Sequence, residues 1–191
     1  MLSKEEVLNI FENNKDKLFT IEQGGSIILP FIRNPRDEDI IFVMKIGHNR
    51  SEFKNVIDQL KLNHPNIGVI FVYENDKLFN TTYAYLLHYR QSYYELPVRA
   101  SEKDILENKE LYMKVLIDKI KRMTSLIKSY VYSKNWYRIY LSLCIIDNNS
   151  YKLTSDQINI INMLHDNKDE DIEKRKVIVE KMITRLLKEE N

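Results

Sequence analysis

The spacing of apolar residues changes along the chain from a helical to a strand rhythm and back, and each change predicts an element boundary. Ser3 stands three residues before Glu6, the spacing of a capping box, and Val7, Ile10, Phe11 and Leu18 follow as an intermittent apolar face. This predicts a helix over about 4–16, weakened at its end by Asn13 and Asn14. Phe19 to Ile21 reads as a short strand running into Gly24-Gly25-Ser26, where adjacent glycines favour a tight turn. Ile27 to Ile32 is apolar but contains Pro30, so a turn, a short helix start or an edge strand fits better than a central strand. Asn34-Pro35-Arg36-Asp37 is a second turn, and the β-branched run within Asp39 to Ile46 predicts a buried strand.

Phe53, Val56, Ile57 and Leu60 repeat at three and four residues and mark an amphipathic helix. Pro65 and Asn66 then lead into a second apolar strand, Ile67 to Tyr73. Strand, helix and strand in this order point to a mixed sheet covered by helices. Beyond it the rhythm is helical. The pattern predicts helices within 78–94, over 103–131, from Trp136 to Ile146, over 154–164 with Thr154 as cap, and over 169–190. The last is acidic first and basic later, matching the helix dipole. The expected fold is α+β: a small mixed-sheet α/β core over 1–100, followed by a helical region over 101–191 packed on it.

Composition narrows this picture. With 191 residues, 43% of them hydrophobic, the chain has length for one sizeable core or two small ones sharing it. A formal net charge of +1 gives no bulk attraction to nucleic acid or acidic lipid, so any such affinity needs a local patch. No apolar run approaches 18 residues, and Met1 to Glu6 carries acids where a leader would carry bases, so no membrane association and a cytoplasmic location are expected. Cys144 is the single cysteine, which excludes an internal disulfide, and the four histidines show no zinc-ligand spacing.

The stretch Gly25 to Asp39 holds the candidate chemistry. Asp37 and Asp39 are two apart at the mouth of a strand, so strand periodicity puts both carboxylates on one side, where they favour a hard divalent cation such as Mg²⁺. Gly25 permits close approach of backbone amides to a phosphate, and the Ser26 hydroxyl offers a donor. A solvated loop entering a strand is the alternative reading of the same residues. No Walker-type phosphate loop and no dinucleotide-binding glycine pattern is present.

Gly25-Ser26, the eleven-residue step to Asp37, and Asp37-Glu38-Asp39 running into Ile40-Ile41-Phe42-Val43 resemble the signature of the nucleotidyltransferase superfamily related to DNA polymerase β. The resemblance implies that Ser26 positions a nucleoside triphosphate, with ATP the preferred expectation, and that Asp37 and Asp39 bind the catalytic Mg²⁺. It also calls for a third acid on a later strand, for which Glu74 and Asp76 are the candidates. Lys134 to Leu141 is similar to the helical region of predicted nucleotidyltransferases of bacteria and their phages, which carries Lys134 and Arg138 over as nucleotide-binding residues on one helix face, in a host cytoplasm if phage-encoded. The likeness spans about residues 18–165, and its specific part is 25–43. Two departures stand out: Pro30 where a second glycine is usual, and Arg36 where a serine is usual; Arg36 is placed to contact a phosphate or a neighbouring carboxylate.

Three functions follow as expectations. The first is Mg²⁺-dependent transfer of a nucleoside monophosphate from a triphosphate to a hydroxyl of unknown identity on RNA, protein or a small molecule. The second is a catalytically degenerate relative acting in binding or regulation. The third is a structural or partner-binding protein, to which the aromatic segment Tyr83 to Tyr94 and the 103–131 helix would contribute an interface.

Overall fold

The computed structural model describes residues 2–75, 136–166 and 172–189, with isolated positions between them. The expected helices within 78–94 and over 103–131, and the residues Asp76 and Lys134, lie outside the described residues, apart from Glu107, which is in a turn, and 110, 111 and 114, which are helical. The fold is mixed α+β with a helical C-terminal region. It divides into two compact units: Met1–Pro30, Pro35–Phe79 and Leu86–Glu102 form the first, and Phe31–Asn34, Asn80–Tyr85 and Lys103–Asn191 the second.

The first unit begins with helix α1, Lys4–Glu12, whose capping box forms as its sequence predicts. The Glu6 amide donates to Ser3 Oγ at 3.2 Å and the Ser3 amide donates to Glu6 Oε2 at 2.9 Å. The helix stops four residues short of the expected end because Asn14 turns its carboxamide back onto the Ile10 carbonyl at 2.8 Å, ending the ladder with a side chain. Strand β1, Leu18–Gly24, is longer than expected and pairs antiparallel with β2, Asp39–Met44. A 3₁₀ turn, Ser26–Ile28, fills the place of the Pro30-containing apolar run, and a second, Arg50–Phe53, leads into α2, Lys54–Asn63. Strand β3, Gly68–Tyr73, pairs parallel with β2, giving a three-stranded mixed sheet of order β1-β2-β3.

Strand pleating sorts the sheet into two faces. Ile40, Phe42 and Met44 point to the face that packs with Val7, Phe53 and Leu60, and the rings of Phe42, Phe53 and Phe71 stack at 5.2 to 5.7 Å between centroids. Helices α1 and α2 thus share one face. Ile41, Val43 and Val72 form a second buried cluster on the other face.

His64, just beyond α2, lies 2.9 Å from Glu6 Oε1 and so links the two helices. The His64 hydrogen bond, with those from Ser3, holds the Glu6 carboxyl down at about 2. A depressed carboxylate contributes stability above its unfolded pKa and loses it as pH falls toward the folded one. Acid unfolding should therefore weaken the protein between about pH 4.5 and about 2. Glu6→Gln should flatten that decline by less than about 1 kcal/mol, since the group is part-exposed and screened. Parallel pH–denaturation curves of parent and variant would contradict the linkage.

In the second unit, α3, Trp136–Asn148, is buried on every side from Trp136 to Ile146, as its nearly unbroken apolar sequence requires. Burial pushes the Cys144 thiol up to about 12, which makes it a core residue rather than a nucleophile. Helices α4, Ser155–Asp166, and α5, Ile172–Glu189, pack against α3. Buried Asn162 on α4 accepts from the Arg33 amide and donates to the Phe31 carbonyl, both at 2.9 Å. One carboxamide thus grips the backbone of the short Phe31–Asn34 segment.

Among the described residues no helix is long and apolar enough to cross a membrane.

Candidate functional site

Of the residues that the sequence singles out, Gly25, Ser26, Asp37 and Asp39 lie at the end of the sheet where β1 finishes and β2 and β3 begin. Gly24 pairs with Asp39, and Asp39 with Gly68. Just beyond the strands, the chain leaving β1 and the chain entering β2 lie against each other. The Ile27 amide donates to the Asp37 carbonyl at 3.3 Å, and the Ser26 amide donates to Asp37 Oδ1 at 3.0 Å. Ser26 Oγ donates to the same carboxylate oxygen and accepts from the amides of Arg36, at 2.9 Å, and Asp37, at 3.3 Å.

The eleven-residue step brings Ser26 and Asp37 into direct hydrogen-bond contact. A serine hydroxyl has one proton to give and two lone pairs to offer. All three are used, and Ser26 is 0% exposed. Its side chain has no capacity left for a phosphate oxygen. Gly25 is likewise closed: at φ 89° and ψ −177° its amide plane lies so close to the next segment that a Cβ would fall 2.3 Å from the Asp37 carbonyl oxygen. The space foreseen for an oxyanion holds the chain's own Asp37.

Asp37 and Asp39 also differ from the expected arrangement. Strand β2 begins at Asp39, so the two-residue pleat does not reach Asp37. Asp37 turns toward the end of β1, onto Ser26. Asp39 turns toward β3, with Oδ1 occupying the place over Gly68 where a Cβ would lie, 1.9 Å away. The carboxylates thus lean toward opposite neighbours of β2. Carboxylate oxygens are hard donors of the kind that suits Mg²⁺. Among the described residues no three acidic, histidine or cysteine side chains converge on a metal position.

The third acid is displaced further. Glu74 follows β3, and β3 runs parallel to β2, so Glu74 stands at the opposite end of the sheet from Asp39. Six residues of strand separate Gly68 from Glu74, about 20 Å. There Glu74 Oε1 accepts from the Ile46 amide at 3.2 Å and closes the far end of the sheet. The acid nearest Asp39 by register is Glu22, which sequence reading missed. It sits on β1 two residues before Gly24, on the face Asp39 shares, and is 3% exposed. Diagonal neighbours of this kind lie about 7–8 Å apart between Cα atoms. Its signal was the alternation Thr20, Glu22, Gly24.

Arg36 exposes its side chain at the rim of a cavity of about 360 Å³ that Asp37, Glu38, His64 and Asn66 also line. Glu38 is held there by Gln23, whose Nε2 donates to Oε1 at 2.8 Å. Arg138, in the second unit, is not on a solvated face: it is 7% exposed, Nε donates to the Tyr137 hydroxyl at 2.8 Å, and the guanidinium lies 5.5 Å from that ring's centroid.

No protein-family model, curated protein or solved structure matches this chain.

Proposed function

We propose that this chain is a nucleotidyltransferase-like protein whose catalytic end has become structural, and that it acts in binding or regulation rather than in transfer. The observation that carries this reading is the saturated Ser26 hydroxyl. A serine meant to seat a triphosphate must keep its donor or its lone pairs for the ligand, and this one gives all of them to Arg36 and Asp37. Two further features support it. Asp37 and Asp39 lean apart, and Glu74, the described candidate for the third acid, is at the far end of the sheet and cannot serve as base to an acceptor hydroxyl at Asp39. What remains of the signature is Asp39 between two glycines, a carboxylate with no side chain on either neighbouring strand position.

The purified chain, given Mg²⁺ and each of the four ribonucleoside triphosphates, should release no more pyrophosphate than its Asp37→Asn variant. Release by the parent that vanishes in the variant would replace this reading with the active Mg²⁺-dependent transferase, in which the nucleotide draws Asp37 off Ser26. Titration calorimetry with the same magnesium-nucleotides separates the two cases further, because a working site binds the triphosphate before it cleaves it.

A further inference from the structure

Strand β3 closes one side of the sheet, and its ladder shows which of its backbone groups are already taken. In a parallel pair, alternate residues of a strand turn both N–H and C=O toward the neighbour, and the residues between them turn both away. The Gly68 amide donates to the Glu38 carbonyl and the Glu74 amide to the Met44 carbonyl, each at 2.9 Å. The even-numbered positions of β3 therefore face β2, and Val69, Phe71 and Tyr73 direct their N–H and C=O groups to the outer edge. Among the described residues nothing hydrogen-bonds to those groups. Sheets guard such an edge with lysine, proline, a bulge or a covering segment. Strand β3, Gly-Val-Ile-Phe-Val-Tyr, carries no charge and no proline and pairs with β2 without a register shift. Beside its outer edge it leaves Val69, Ile70 and Phe71 half-buried and Tyr73 41% exposed.

Free backbone groups in this alternation accept one kind of partner, another extended strand, and the strand's own sequence supplies it. A second β3 running antiparallel about a two-fold axis at Phe71 sets Phe71 opposite Phe71 and Val69 opposite Tyr73, as hydrogen-bonded pairs. That register uses every outward N–H and C=O of residues 69, 71 and 73 in both copies, whereas a slip of two residues leaves groups unpaired at both ends. The side chains agree with it. Val69 and Phe71 lie on the face that α1 and α2 cover, so the pairs there are aromatic with aromatic and β-branched with aromatic. On the other face Ile70 meets Val72. Cross-strand pairs of these kinds stabilise a sheet, and none of them sets like charges opposite each other.

We propose that two copies of this chain join edge to edge through β3, antiparallel about Phe71, so that their three-stranded sheets become one continuous sheet. The pairing does not depend on how the site at Ser26 and Asp37 is read.

The register can be tested by cross-linking the full chain. In this pairing Val69 of one copy and Tyr73 of the other stand about 5.5 Å apart between Cα atoms, within reach of a disulfide, while two Val69 or two Tyr73 residues are about 13 Å apart along the strands. Oxidising a mixture of the Val69→Cys and Tyr73→Cys variants should give covalent dimers that join one variant to the other, and oxidising either variant alone should give few. Cys144 is buried and stays out of the reaction. Sedimentation equilibrium of the parent should show monomer and dimer in exchange below about 1 mM. Tyr73→Pro should weaken this association about tenfold or more. The N–H it removes points away from β2, so the existing ladder survives, but the added strand loses a bond and meets a ring. Melting of that variant at low concentration should stay close to that of Tyr73→Ala. The cysteine pair alters no backbone group and decides the register however the proline variant folds. A parent that stays monomeric at about 1 mM, a folded Tyr73→Pro that associates as the parent does, or single-variant cross-links as abundant as mixed ones would each overturn the proposal.

Discussion

Gly25→Ala should lower the unfolding free energy of the first unit by about 3–5 kcal/mol, the largest effect expected from any single methyl group in the described chain. Two costs combine. At φ 89° and ψ −177° the backbone is in a region that side-chain-bearing residues avoid, which costs about 1–3 kcal/mol. The added Cβ would also meet backbone rather than a flexible side chain: the Asp37 carbonyl oxygen at 2.3 Å, its carbon at 2.9 Å and the Asp39 amide nitrogen at 3.1 Å. Relief requires moving the segment that enters β2, which opens the Ile27–Asp37 backbone bond and the terminal Gly24–Asp39 pairing.

Gly47 separates the two costs. It also has positive φ, 98°, but a Cβ there would meet nothing within 4 Å. Gly47→Ala should therefore show the conformational cost alone, about 1–2 kcal/mol. Urea unfolding of parent and both variants decides the matter. If Gly25→Ala cost no more than Gly47→Ala, the close approach of the two segments would not be what Gly25 provides.

This comparison shows why some of the molecule could be read from its sequence and some could not. Strands β2 and β3 announce themselves because each is a run of apolar residues rich in β-branched side chains, buried in β2 and half-buried in the edge strand β3, and α2 because its apolar positions recur at three and four. The Ser3–Glu6 capping box is a local device with a fixed spacing. The meeting of Ser26 with Asp37 was legible too, from a motif distance. What was not legible was the direction in which side chains spend their hydrogen bonds. The pleat argument for Asp37 and Asp39 needed both in the strand, and the strand starts at Asp39 because Asp37 is engaged by the turn at Ser26–Ile28. Glu74 was misplaced because strand direction is not written in strand composition: a parallel β3 carries its following residue to the wrong end. Asn162 holds the segment at Arg33, 129 residues away from it in sequence, and no local pattern marks such a contact.

Ser26→Ala is the second large effect, and it distinguishes a structural serine from a nucleotide-binding one. Removing the hydroxyl takes one donor from the Asp37 carboxylate and leaves the Arg36 and Asp37 amides without their acceptor, in a place where Ser26 itself is fully buried. An unsatisfied buried polar group costs about 1–3 kcal/mol, and the remaining Ser26 amide bond to Asp37 limits the total to about 2–4 kcal/mol. Asp37→Asn should cost less, about 1–2 kcal/mol, because its side-chain oxygen still accepts from Ser26 although the charge that strengthens those bonds is gone. Combined, the two changes should cost at least about 1 kcal/mol less than their sum, since each removes the partner the other needs. A serine reserved for a triphosphate gives the opposite pattern: a nearly neutral Ser26→Ala in the unliganded chain, additive with Asp37→Asn, and a loss that appears only in magnesium-nucleotide binding. Denaturant midpoints for the four members of this cycle, measured without nucleotide, would therefore count against the structural reading if the effects were small and additive.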